Sequence, residues 1–186
     1  NMLLYRAFRL DDENARYVFE HELGHSFDAT HSNFLNCGSK TLTHPCESLE
    51  YQDHFDVMGK GRELHYNGIW KEKFNWFESN NIQTVTTNGS YTINPFESQG
   101  GIKVLKIPRD RDPITNEVLY HIYLEYRQPI GFDKKLLNKE VTRGVLMHYS
   151  PGHFWSSSQF IDTTPTIPDS RLNPTLLPGN LFIDKV

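Results

Sequence analysis

The sequence predicts an α+β fold, with helices and a long loop over residues 1–79 and an antiparallel β-sandwich over residues 80–186. Three observations predict it. Apolar residues recur at helical spacing before residue 28 and again over about 67–77. Between them, from Thr30 to Gly61, the composition turns polar, rich in Asn, Ser and Gly. After Ser79-Asn80-Asn81 the pattern changes to short runs of period-two alternation separated by Gly, Pro and Asn.

Residues 2–8 read as a strand, and Asp11 or Asp12 as the cap of a helix running to about Phe27, where early acidic residues complement the helix dipole. Ala15, Val18, Phe19 and Leu23 form the stripe expected to be buried. The segment 30–61 is expected to be an ordered functional loop, since loops of that length without elements of their own are otherwise disordered. The second helix has Ile69, Trp70, Phe74 and Phe77 on its apolar side. Strands are expected at 82–86, 90–94, 102–107, 118–128, 143–150, 159–163 and 180–184. In the longest, Tyr120, Ile122, Leu124 and Tyr126 share one face. His121, Tyr123, Glu125 and Arg127 share the other, where Glu125 and Arg127 are placed to pair.

With 37% hydrophobic and 13% aromatic residues the chain can bury a core, which argues against disorder. Its formal charge of −4, with no long basic run, disfavours nucleic acid or an anionic membrane as partner. No apolar run is long enough to cross a bilayer. The two cysteines, Cys37 and Cys46, stand close together in the polar loop. A disulfide pinning that loop is expected, worth about 2–3 kcal/mol, the alternative being two reduced thiols in a cytosolic protein. Asn88-Gly89-Ser90 matches a glycosylation sequon without further support.

The chemistry is concentrated in His21-Glu22-Leu23-Gly24-His25-Ser26-Phe27-Asp28-Ala29-Thr30-His31. Positions i and i+4 share a helix face, so His21 and His25 converge on one ion, and Glu22 projects beside it as a general base. His31 supplies a third ligand once the chain turns back, leaving a fourth position open, as catalytic zinc sites do. A chance occurrence of all four residues at this spacing has odds of roughly one in a thousand. The other histidines, His44, His54, His121, His148 and His153, lack ligand spacing.

This motif resembles that of the metzincin metallopeptidases, H-E-x-x-H-x-x-G-x-x-H followed by a turn containing Met. Asp28 stands where that pattern has Gly, a position wanting φ > 0, which Asp tolerates better than most residues. Asp56-Val57-Met58-Gly59 matches the Met turn, with Met58 expected as an apolar floor under the imidazoles. Asn36-Cys37-Gly38-Ser39, Cys46, Glu50-Tyr51-Gln52-Asp53, the segment Trp70–Phe77 and Tyr123–Asp133 look most like the gametolysin family and its bacterial relatives, although Gln52 replaces that family's usual Gly.

The resemblance implies that residues 1–79 are the C-terminal part of a metzincin-like catalytic domain whose N-terminal subdomain is missing, with residues 80–186 as the β-sandwich domain. It also implies a secreted or cell-surface zinc endopeptidase acting on protein or peptide substrates. His21, His25 and His31 would be metal ligands, Glu22 the catalytic base, and Met58, Asp28, Cys37 and Cys46 structural supports. Tyr66 and His65 are the nearest downstream helpers, for which packing roles are the simpler reading. A zinc peptidase of another class would recruit a Glu from a later helix, here Glu72. The competing class is a catalytically inactive, zinc-stabilised binding module whose β-domain recognises protein or carbohydrate. Retention of Glu22, which a structural site does not need, argues against it.

Overall fold

A computed structural model describes residues 13–42, 45–151, 157–167 and 170–183. The strand expected at 2–8, the caps Asp11 and Asp12, His44 and His153 lie outside them. The elements in chain order are α1 (Glu13–Ser26), β1 (Ser32–Asn36), β2 (Glu47–Leu49), α2 (Gly68–Lys73), β3 (Ile82–Thr84), β4 (Val104–Arg111), β5 (Val118–Glu125), β6 (Leu146–Pro151) and β7 (Ser158–Ile161). Short 3-10 turns occur at Gly131–Leu136, Glu140–Arg143 and Ser170–Leu172.

The class is mixed α and β, and the seven strands form one sheet in the order β2-β1-β7-β6-β5-β4-β3. That differs from the expected antiparallel sandwich in two ways. β1 lies parallel to β7, and β3 parallel to β4, while the other pairs are antiparallel. The parallel partners Phe34 and Phe160 are distant in sequence, so the sheet runs across the boundary expected at 79/80. Both faces are covered without a second sheet. Ile122, Met147 and Ile161 pack with Leu42, Leu176 and Phe182, while Val104 and Tyr123 pack with Ile69, Trp70, Val57 and Met58.

β1 and β2 arise inside the segment expected to be a loop. β2 is too short to show alternation, and in β1 the buried positions Ser32 and Phe34 alternate while Ser32-Asn33-Phe34-Leu35-Asn36 does not alternate apolar with polar, so β1 becomes a strand by pairing with β2 on one side and β7 on the other. The Cys37–Cys46 disulfide closes this hairpin just beyond the Asn36–Glu47 pair. Conversely, 90–94 and 180–183 join no strand; at Asn94 the backbone makes a single bond to the Ile102 carbonyl rather than a ladder.

The stripe expected to be buried on α1 is not. Val18, Phe19 and Leu23 are 36–46% exposed. The face turned inward carries Tyr17, His21 and Gly24, spaced at four and three residues. Polar anchoring explains the choice. The Tyr17 hydroxyl donates to the Gly59 carbonyl at 2.7 Å, and His21 Nδ1 bonds the Val57 carbonyl at 2.8 Å.

α2 is shorter than the expected 67–77. Asn67 caps it by accepting from the Ile69 and Trp70 amides, and Asn75 at φ 56° ends it. Its first residue, Gly68, donates to Glu125 Oε2 at 2.8 Å, and a Cβ there would lie 2.7 Å from Val104, so only glycine lets the helix sit this close to the sheet.

Candidate metal centre

α1 ends in a Schellman motif. Ala29 N–H donates to the Gly24 carbonyl and Asp28 N–H to that of His25, each at 3.0 Å, with Asp28 in the left-handed region at φ 67°. The Lys73 ammonium donates to the Asp28 carbonyl. This reversal turns the chain back over the end of the helix, so that His31 returns to face His21 and His25. The ligand atoms of the three histidines all lie within 4.8 Å of one another. Ring centroids are 4.9 Å apart for His21 and His25, 5.0 Å for His25 and His31, and 5.4 Å for His21 and His31.

What decides whether these rings suit a metal is which nitrogen is free. His21 Nδ1 bonds the Val57 carbonyl, His25 Nδ1 the Ala29 carbonyl at 2.8 Å, and His31 Nδ1 the Glu50 carboxylate at 2.6 Å. Carbonyl and carboxylate oxygens only accept, so each Nδ1 carries the proton and each Nε2 keeps its lone pair. Three lone pairs therefore converge, with outer partners already in place as metal-ligating histidines have them. Burial, helped by the neighbouring His25 and His31, lowers the His21 pKa, which favours the neutral, ligating form.

The turn Asp56–Gly59 holds the centre from below. Met58 is fully buried, and a Cβ placed on Gly24 would fall 2.3 Å from its sulfur and 2.8 Å from the Tyr66 ring, so the motif's glycine is the point where α1 rests on this methionine. Asp56 Oδ1 accepts from the Met58 amide at 2.6 Å and the Ser32 hydroxyl at 2.9 Å, and Asp56 Oδ2 accepts from the Asn67 amide. Trp70 Nε1 donates to the same Ser32 hydroxyl at 2.7 Å. Burial, then the neighbouring Asp53, raises the Asp56 carboxyl to about 7. Turn, β1 and α2 thus share one buried polar junction.

Glu22 is exposed, one residue beyond His21, within electrostatic reach of His21 and Tyr51. Tyr66 and His65 do not join the centre. The Tyr66 hydroxyl donates to the Glu20 carbonyl at 2.5 Å, behind the helix, and His65 belongs to a separate group with Glu97 and Asp133. Glu72 is held by Lys106 at 2.9 Å and by the Tyr123 hydroxyl at 2.5 Å, so it is not a ligand of this site. His148 pairs with buried Asp53 at 3.0 Å, away from the cluster.

Two neighbours were not expected from spacing. Glu50 is the His31 partner, and the Tyr51 ring lies 3.7 Å from the His31 ring and 5.7 Å from that of His21, at a backbone φ of 62°. Both stand in the Glu50-Tyr51-Gln52-Asp53 string, but only the β1–β2 hairpin brings them over His31. Comparison with protein-family models, with curated proteins and with solved structures finds no match.

Two outcomes follow. Glu50→Ala should weaken zinc binding by about 10-fold, the low end for an outer partner because the Glu50 side chain is 67% exposed; a competition titration against a chromophoric chelator measures it. Zinc at about a hundredfold over its Kd should raise stability by about 2.7 kcal/mol, or roughly 5–10 °C in Tm for a chain of this size, and chelation should reverse the rise.

Proposed function

We propose that the chain carries the centre of a zinc-dependent endopeptidase, as its likeness to the metzincins, and to the gametolysin family among them, suggests. The observation that carries this reading is the set of three Nδ1 tethers on imidazoles whose ligand atoms lie within 4.8 Å of one another, with the exposed Glu22 on the residue next to His21. His21, His25 and His31 would hold the ion. A zinc ion bound there supplies Lewis acidity toward a peptide carbonyl and lowers the pKa of water toward 7.

The chain's own groups do the rest. Glu22 is exposed and is free to accept the proton of an attacking water and return it to the leaving amine. The Glu50 carboxylate holds His31 in its ligating tautomer and supports the imidazole's basicity. The Tyr51 ring walls one side of the centre against His31 and His21. The disulfide suits an oxidising, extracellular setting, and no helix among the described residues is long and apolar enough to cross a membrane.

The test is hydrolysis of a broad peptide library by the chain expressed within its full natural reading frame, before and after metal removal and after zinc is restored. Cleavage that disappears with chelation and returns with zinc supports an endopeptidase. A zinc-loaded protein inert toward every peptide hands the site to the binding-module reading.

A further inference from the structure

A second group of ligand-type side chains lies away from the first. We infer that His65, Glu97 and Asp133 form a second, independent divalent-cation site of one nitrogen and two oxygen donors, suited to zinc. Their ligand atoms all lie within 4.8 Å of one another. They come from three remote segments, the stretch before α2, the loop before β4 and the 3-10 turn Gly131–Leu136, so neither helix periodicity nor strand alternation brings them together.

Glu97 is the observation that points to a ligand. Its side chain is 2% exposed and faces the Asp133 carboxyl, and among the described residues no N–H or hydroxyl donor is committed to either of its oxygens. A buried carboxyl is satisfied by donors, by a metal or by taking up a proton, and burial beside Asp133 pushes the Glu97 carboxyl up to about 9, so a cation here would displace that proton. The cations around it are engaged elsewhere. Arg127, fully buried, comes within 3.1 Å of Glu97 Oε1, but its Nε and Nη2 donate to Asp133 at 2.5 and 2.7 Å and its Nη1 donates to Glu125 at 3.0 Å. The Lys103 ammonium donates to the Pro95 carbonyl and the Ser98 hydroxyl, and that of Lys71 sits 4.1 Å from the centre of the Phe96 ring.

Access and positioning are also present. His65 lines a cavity of about 720 Å³ together with Lys71, Phe96 and Phe132, so one of the three donors borders open space while the two carboxyls lie behind it. Its backbone amide donates to Asp133 Oδ1 at 3.1 Å, fixing two of the three donors relative to each other. Because Asp133 is also engaged by Arg127, the second site should bind zinc more weakly than the three-histidine centre. The imidazole donor makes it prefer zinc over calcium.

Zinc titration of the metal-free protein, followed by calorimetry and by metal analysis after dialysis, tests this directly. Wild type should take two equivalents, the second at least 10-fold weaker and undisturbed by excess calcium. Glu97→Gln and His65→Gln should each retain only the tighter equivalent, and His25→Ala only the weaker. Circular dichroism checks folding, and His65→Gln, at a position that borders the cavity, decides should Glu97→Gln fail to fold. A wild type that takes one equivalent overturns the inference and assigns a shared proton to Glu97 and Asp133. Two equivalents that survive both His65→Gln and Glu97→Gln overturn it as well. The His25→Ala result reads the first centre separately.

Discussion

Glu22→Gln is expected to lower peptide hydrolysis by about 10³-fold or more while leaving tight zinc binding intact. Gln matches Glu in shape but cannot take a proton, so the substitution removes the base and little else. Nothing that holds the three imidazoles passes through this side chain. Their Nδ1 atoms are tied to Val57, Ala29 and Glu50, and Glu22 itself is exposed, so no packing is lost. Stopped assays at saturating peptide, alongside zinc stoichiometry on the same preparation, give both readouts. A variant that keeps its zinc and more than about a tenth of the wild-type rate would remove Glu22 from the mechanism.

The largest effect on stability is expected at Arg127→Ala. Its guanidinium is completely buried and binds Asp133 through two nitrogens and Glu125 through a third. Arg127 in turn holds the Asp133 carboxyl well below the usual carboxylate range, against the upward push of burial. Removing one member of a buried ionic group leaves the others charged without a partner, a cost of about 3–5 kcal/mol. For a chain of this size that is a fall of roughly 10 °C in Tm. Arg143 is a suitable contrast, since its pair with Glu140 is long at 3.9 Å and exposed, and Arg143→Ala should leave Tm within about a degree. Equal Tm values for the two variants would mean that the Arg127 cluster does not hold the sheet to α2 and the Gly131–Leu136 turn.

The two tests bear on different parts of the molecule, joined by α2. Gly68, the first residue of that helix, donates to Glu125 of the ionic cluster, while its cap, Asn67, donates from its amide to Asp56 beneath the three-histidine cluster. A loss of order at Arg127 therefore has a direct route to the turn that carries Met58. Zinc affinity measured in Arg127→Ala reads that coupling.

Much of the candidate metal centre was legible in the chain because its three histidines are local. The i, i+4 spacing of His21 and His25 belongs to any helix, and Asp28 marks the only abrupt reversal between His25 and His31. Five of the seven expected strands were legible for a similar reason, since alternation over 104–111 and 118–125 follows directly from the strand repeat. The buried face of α1 was not legible. Its apolar stripe and its inward face differ, because hydrogen bonds from Tyr17 and His21 to the Gly59 and Val57 carbonyls fix the helix's rotation. Periodicity records which residues are apolar, not what they will meet.

By itself the sequence determined the mixed α and β class, the three imidazoles with Glu22 beside them, and the nearness of Cys37 to Cys46. Each rests on contacts between residues at most ten apart, where chain geometry leaves few alternatives. Only the tertiary structure decided that β1 pairs with β7 to make a single sheet, that Glu50 and Tyr51 close over His31, and that His65, Glu97 and Asp133 meet. Those contacts join residues from 19 to more than a hundred positions apart, and no local repeat encodes them. They form because burying Phe34 against Phe160, and Arg127 among its carboxylates, rewards one arrangement of the whole chain.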